Sequence, residues 1–355
     1  MKGSTIVGLA TSGWLGLAGC GGSDGGRVSD SGSGIASVSA GTADGSGTGS
    51  GSADGLDSLD SLDDGATNMT GVDDGITPDD GCKKVDFLFV IDNSVSMEGE
   101  QAALVGAFPG FMDTIQSTLP PDSDYHVMVA DTDAWGRCNT ANPWTGHSPD
   151  HSTCNGYIEQ TVFDECDQVM GAGVVHPAGE FASNTPCQLQ GGHRYIEASE
   201  PDLGAAFSCM AQVGTAGHPS ERPMDAMVAA LAPGINGPGG CNEGFLRDDA
   251  LLVVTFMSDD PNYEDADGPQ PWYDAVVQYK LGDPTAIVVL GLTPAWEDCG
   301  SGGPPKGEHW AEFIAMFGDH GIHGNVCGTA QEYVDFFQMA VSTIGDACNE
   351  YVPPG

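Results

Sequence analysis

Four short apolar runs constrain this chain more than any other feature. They cover residues 85–91, 125–130, 250–257 and 285–290, and the first is interrupted only by Asp86. A strand with one wet face alternates apolar and polar residues, so near-continuous runs belong to strands covered on both faces. Between and after them, apolar residues recur at helical spacing over about 99–119, 202–213, 222–231, 272–281, 309–317 and 329–348. In the first of these stretches Leu104, Phe108, Phe111, Met112 and Ile115 share a face. Pro109 lies inside it and predicts a kink or break. Strands that pass through short loops into helices build a largely parallel sheet with helices on both sides. The expected fold class is therefore α/β: a three-layer α/β/α, doubly wound domain. Trp272, Trp296 and Trp310 are expected to pack its core or its edge.

The second strand breaks the pattern. It runs into an irregular insertion, about 134–192, rich in Gly, Pro and Asn and carrying Cys138, Cys154, Cys166 and Cys187. An uncrosslinked loop of that length is unusual in a compact domain, so a surface insertion stapled by disulfides is expected. The other candidate disulfide cysteines are Cys82, Cys209, Cys241, Cys299, Cys327 and Cys348. Ten cysteines suggest five bridges in an oxidising compartment, with connectivity left open. None forms a C-x-x-C pair, which argues against a zinc ribbon.

The amino-terminal part reads differently. Residues 1–19 form a mildly apolar, weakly basic leader, too short and Gly/Ser-rich to span a bilayer stably. It ends in Leu17-Ala18-Gly19-Cys20, which resembles a bacterial lipobox. That resemblance implies a removed signal peptide (1–19), lipidation of Cys20 and anchorage at the cell envelope, with the outer membrane favoured. Acyl chains hold a soluble domain at a membrane through roughly 0.8 kcal/mol per buried CH₂. Residues 20–81 follow as a Gly/Ser/Asp-rich tether; from Gly21 to Gly81 it contains no aromatic residue and has little to bury against the entropy of ordering. Its Asp runs lack EF-hand spacing. Function is thus expected within 82–355. The whole chain has 51 acidic and 10 basic residues and a net charge of −41. With no basic stripe to neutralise phosphates, nucleic acid is excluded as a partner, and so is docking on anionic lipid by charge. Charge alone does not choose between cation binding and plain solubility.

Chemistry concentrates where the first apolar run ends, at Asp92-Asn93-Ser94-Val95-Ser96. A strand-to-helix turn aims alternate side chains at one point, so a carboxylate and two hydroxyls converge on a hard cation; Mg²⁺ suits such oxygen ligands. The same residues also suit plainer work, since Ser94 and Ser96 are good helix caps and Asp92 a good turn residue. The run Phe87-Leu88-Phe89-Val90-Ile91-Asp92-Asn93-Ser94-Val95-Ser96-Met97 resembles the start of a von Willebrand factor type A domain with its metal-ion-dependent adhesion site. The resemblance covers about 82–355 apart from the insertion. It implies two more ligands: a mid-domain threonine, matched by Thr215 in Gly214-Thr215-Ala216-Gly217, and a strand-end aspartate, matched by Asp259. In the family that aspartate is often followed by Gly, whereas Asp260 and Pro261 follow here. Asp260, Asp265 and Asp267 either hold an additional ion or merely coat the loop.

By this resemblance Asp92, Ser94 and Ser96 hold Mg²⁺ (or Mn²⁺ or Ca²⁺) directly, and Thr215 and Asp259 do so directly or through water. A protein ligand supplies an acidic side chain to the open position. Enzymatic signatures are weak. No Gly is followed by Lys as a Walker A loop needs, no His is followed by Glu as in H-E-x-x-H, and His320 and His323 read as surface residues. The sequence therefore points to no catalytic residue and to a binding protein. A structural envelope protein with a stabilising ion, or a hydrolase built into the insertion, are the alternatives.

Overall fold

The computed structural model describes residues 82–132, 164–217, 221–259, 265–294 and 307–354. The chain divides into Met1–Gly71 and Val72–Gly355, and every described residue belongs to the second unit. Its strands are β1 (Lys84–Ile91), β2 (Asp124–Asp131), β3 (Ile196–Glu197), β4 (Leu251–Met257), β5 (Ile287–Thr293) and β6 (Gly321–Asn325). They form one sheet in the order β3-β2-β1-β4-β5-β6. Every pairing is parallel except that of the edge strand β3 with β2. The helices are α1 (Glu98–Thr118), α2 (Leu203–Ala211), α3 (Pro223–Leu231), α4 (Pro233–Asn236), α5 (Pro269–Tyr279), α6 (Glu308–Ala315) and α7 (Ala330–Glu350).

Both faces of the sheet are covered, which is why its strands read as continuous apolar runs. Phe87, Phe89 and Ile91 of β1 join one core with Phe108 and Phe111 of α1, Phe207 of α2 and Phe337 of α7. Leu88 and Val90, pointing the other way, join a second core with Met224 of α3, Trp272 of α5 and Trp310 of α6. Gly291 in β5 admits α6 at close range, since a Cβ there would stand 2.3 Å from Ile314 Cδ1. The expected α/β class with a mostly parallel sheet holds. Among the described residues no helix is long and apolar enough to cross a membrane.

Several details depart from expectation. Pro109 does not interrupt α1, which runs unbroken over Glu98–Thr118. Its neighbours Phe108 and Phe111 are buried, and their packing outweighs the single backbone bond that a proline removes. The run at 285–290 begins as a 3₁₀ turn at Pro284–Ala286 before β5 starts. The short strands β3 and β6 carried no sequence signal. Trp296 lies outside the described residues, as do Cys138, Cys154 and Cys299. The described part of the insertion is not all surface: Ala172, Val174 and Ala178 are buried, and Val174 N–H donates to Val129 O of β2 at 2.7 Å. Among the described residues Cys82–Cys348, Cys166–Cys241 and Cys187–Cys209 form disulfides, and Cys327 is disulfide-bonded as well. The first joins the start of β1 to the end of α7, 266 residues away, where loop closure removes most unfolded-state entropy.

The amino ends of the strands are held by a buried charge cluster. Asp86 is fully buried in β1 and accepts from Arg247 N–H and Arg247 Nε, both at 2.8 Å. Lys280, 2% exposed, donates to the carbonyls of Arg247 at 2.6 Å and Ala250 at 2.7 Å. Burial pushes the Asp86 carboxyl up to about 6, even against the pull of Arg247. A carboxyl whose folded pKa lies above its unfolded value of 3.8 favours folding most when protonated, and that contribution declines as pH rises to about 6. We therefore expect the unfolding free energy of the full chain, relative to Asp86→Asn, to fall by about 2 kcal/mol between pH 4 and 7. Urea titrations across that range measure it; a pH-independent difference would contradict the assignment.

Candidate metal centre

The pairing of β1 with β4 sets the site at the opposite, carboxyl ends of the strands. Ile91 lies opposite Met257, so the next residues, Asp92 and Ser258, meet as the chains leave the sheet. Asp92 N–H extends the pairing by donating to Met257 O at 3.0 Å. The Asp92 side chain is fully buried; Oδ1 accepts Ser94 N–H at 2.7 Å and Oδ2 accepts the Ser258 hydroxyl at 2.6 Å. From there a polar chain leads outward. Ser94 Oγ lies 3.2 Å from Ser96 Oγ, and Ser96 donates to Asp259 Oδ1 at 2.9 Å. Asp92, Ser94, Ser96 and Asp259 thus come together at the end of two adjacent central strands. Burial pushes Asp92 up to about 7; the bonds from Ser258 and Ser94 oppose the rise, and the charge of Asp259 adds to it.

Thr215 is on the loop after α2, whose residues Gly214 and Gly217, rather than Thr215 itself, bond to Gln101 and Asn93. Thr215 is buried, its N–H donates to Glu180 O at 2.8 Å, and its hydroxyl makes a long 3.5 Å contact with the same carbonyl. Gly217 N–H donates to Asn93 O at 2.9 Å, and a Cβ on Gly217 would collide with the Asn93 amide at 2.2 Å. Only glycine permits that approach.

Two residues that the motif did not single out hold the turn in place. Gln101, 4% exposed on the first turns of α1, donates through Nε2 to Asp92 O and Gly214 O, both at 2.8 Å. Its Oε1 accepts Gly214 N–H at 3.1 Å. One amide therefore ties the Asp92 turn to the Thr215 loop, and Ser258 ties it to β4. A lone glutamine on the buried side of α1, among Leu104 and Phe108, was the available signal for the first. For Ser258 the sequence offered only its place beside Asp259.

Of the acidic residues beyond Asp259, Asp265 serves a helix end. Asp265 Oδ1 accepts the N–H groups of Met224 and Asp225, both at 3.0 Å, and so caps α3, whose N-cap residue Arg222 has no capping side chain. Asp225 Oδ2 accepts a return bond from Ala266 N–H at 3.0 Å. Asp267 is exposed at φ +65°, and Asp260 lies outside the described residues. His320 and His323 turn to separate partners, Ile287 O and Thr293 Oγ1.

Among the described residues no three His, Cys, Asp or Glu side chains converge as a metal cluster. The group at Asp92 has a different donor set, two carboxylates with hydroxyls, and its fit is a matter of spacing. Adjacent oxygens around an octahedral Mg²⁺ with bonds of 2.0–2.1 Å stand about 2.9 Å apart. The Ser96–Asp259 and Ser94–Ser96 separations, 2.9 and 3.2 Å, match that requirement. Hard oxygen donors of this kind suit Mg²⁺, Mn²⁺ or Ca²⁺ over softer metals. Comparison of the chain with protein-family models and with curated proteins finds no match.

The clamp makes a direct prediction. Gln101→Leu leaves the Gly214 N–H and two carbonyls without their partner, and each buried loss costs about 1–3 kcal/mol. Urea unfolding in chelator should show a loss of at least 2 kcal/mol, on the order of two such groups. A loss below about 0.5 kcal/mol, the usual effect of a surface substitution, would contradict the clamp.

Proposed function

We propose that residues 82–355 form a von Willebrand factor type A domain whose adhesion site binds a divalent cation and, through it, an acidic side chain of a partner protein. The observation that carries the reading is the polar chain Ser94–Ser96–Asp259 beside the buried Asp92, at the carboxyl ends of neighbouring central strands. The strand order, with one antiparallel edge strand, supports it. Asp92, Ser94 and Ser96 would hold the cation directly; Thr215 and Asp259 would hold it directly or through water. Bound there, a divalent cation supplies a Lewis-acidic position for a carboxylate. Ser94 and Ser96 bring no charge, so they leave positive charge for the partner. Ser258 and Gln101 keep the turn aimed. On this reading the protein is an adhesion or binding protein without catalytic residues.

The disulfides are compatible with an exported chain. With the lipobox-like Leu17-Ala18-Gly19-Cys20 they support a lipoprotein of the cell envelope, held by its lipid anchor alone, although those four residues lie outside the described ones.

The test is a thermal melt of the full chain in chelator and then in Mg²⁺, Mn²⁺ or Ca²⁺. A free ion at about one hundred times its dissociation constant should add roughly 2.7 kcal/mol, and Asp92→Asn should abolish the gain. Identical melts with and without each ion would sink the proposal.

A further inference from the structure

Two exposed apolar side chains stand among the polar residues of the loops that build the site. Val95, between Ser94 and Ser96, is 82% exposed, and Phe181 is 53% exposed. One loop connects them: Gly217 N–H bonds to Asn93 O, and Thr215 N–H bonds to Glu180 O, next to Phe181. Phe181 is also held at φ +59°, a left-handed backbone that a bulky residue rarely adopts. Its surroundings enforce that conformation. Ala182 N–H donates to Gly179 O, Asn184 bonds to Gly179 and Ala182, and the Cys187–Cys209 bridge follows. An exposed aromatic kept in a strained backbone, next to the residue whose carbonyl holds the Thr215 loop, points to contact with a ligand.

Charge narrows the ligand further. Within 82–355 there are 39 acidic and 8 basic residues. Arg194, Arg222, Arg247 and Lys84 are paired with carboxylates, and Lys280 is buried against carbonyls. This excess of negative charge opposes the approach of an acidic partner and favours a neutral or basic protein. Resting on the metal reading above, we infer that Val95 and Phe181 select the partner: a protein segment whose coordinating carboxylate is flanked by apolar side chains, on an otherwise neutral or basic surface. Coordination fixes the carboxylate, and the two apolar residues bury its neighbours, the arrangement of a hot spot enclosed by contacts that exclude water.

The experiment uses displayed peptides with a fixed central Asp and randomised flanks, selected on the full chain in Mg²⁺ and eluted with EDTA. We expect enrichment of aromatic or aliphatic residues next to the Asp. Selected peptides should bind Val95→Ser and Phe181→Gly about tenfold or more weakly, on the scale of a lost anchor contact. Both variants should keep the Mg²⁺-dependent melting shift, and Phe181→Gly, relieved of its left-handed strain, should melt no lower than wild type. Selected peptides without apolar flanks, or undiminished binding to both variants, would overturn the inference. So would an empty selection on a chain that still shows the Mg²⁺ shift, leaving the metal reading intact. A wild-type chain with no Mg²⁺ shift overturns the metal reading itself, and this inference with it.

Discussion

A carboxylate with no exposed surface, at the end of the central strand, is the constraint on which the site depends. Asp92 cannot face water, because β1 is covered on both sides and the turn after it is folded over by α1 and the Thr215 loop. Burial disfavours its charge, and its two oxygens are satisfied by a backbone N–H and the Ser258 hydroxyl. On the proposed reading, a cation beside such a group would supply what the surroundings withhold.

The scaffold divides its polar work between the two ends of the sheet. At the amino ends, Asp86, Arg247 and Lys280 are fully engaged with each other and with carbonyls, which leaves a closed cluster with a structural role. At the carboxyl ends, the chain from Ser94 to Asp259 opens outward to an exposed Ser96. Ligands in open α/β sheets sit at the carboxyl ends of strands, where the loops are free to vary. Gln101 matters to the open end of this division, since it makes the start of α1 the joint between two loops far apart in sequence.

Much of this was legible in the residues. The near-continuous apolar runs specified a sheet covered on both faces, and Asp92, Ser94, Ser96 and Asp259 do meet where the strands end. Other features were not legible, for physical reasons. Pro109 has the signature of a helix break, but packing against β1, α2 and α7 holds α1 together through it. β3 is two residues long and β6 is Gly-rich, so neither carries the pattern that marks a strand. Asp265 has the signature of a spare ligand, yet it caps a helix that lies some forty residues earlier in the chain, a contact that only the fold creates. Gln101 was hidden because a buried polar residue announces itself only once its partners are known.

The most direct test of the central claim is a crystal structure of the full chain grown with Mn²⁺ and measured at the manganese absorption edge. The account predicts an anomalous peak bonded to Ser94 Oγ, Ser96 Oγ and Asp92, with Asp259 bonded to it or one water away. Manganese found elsewhere, with the Ser94–Ser96–Asp259 hydrogen bonds intact and no ion among them, would contradict it.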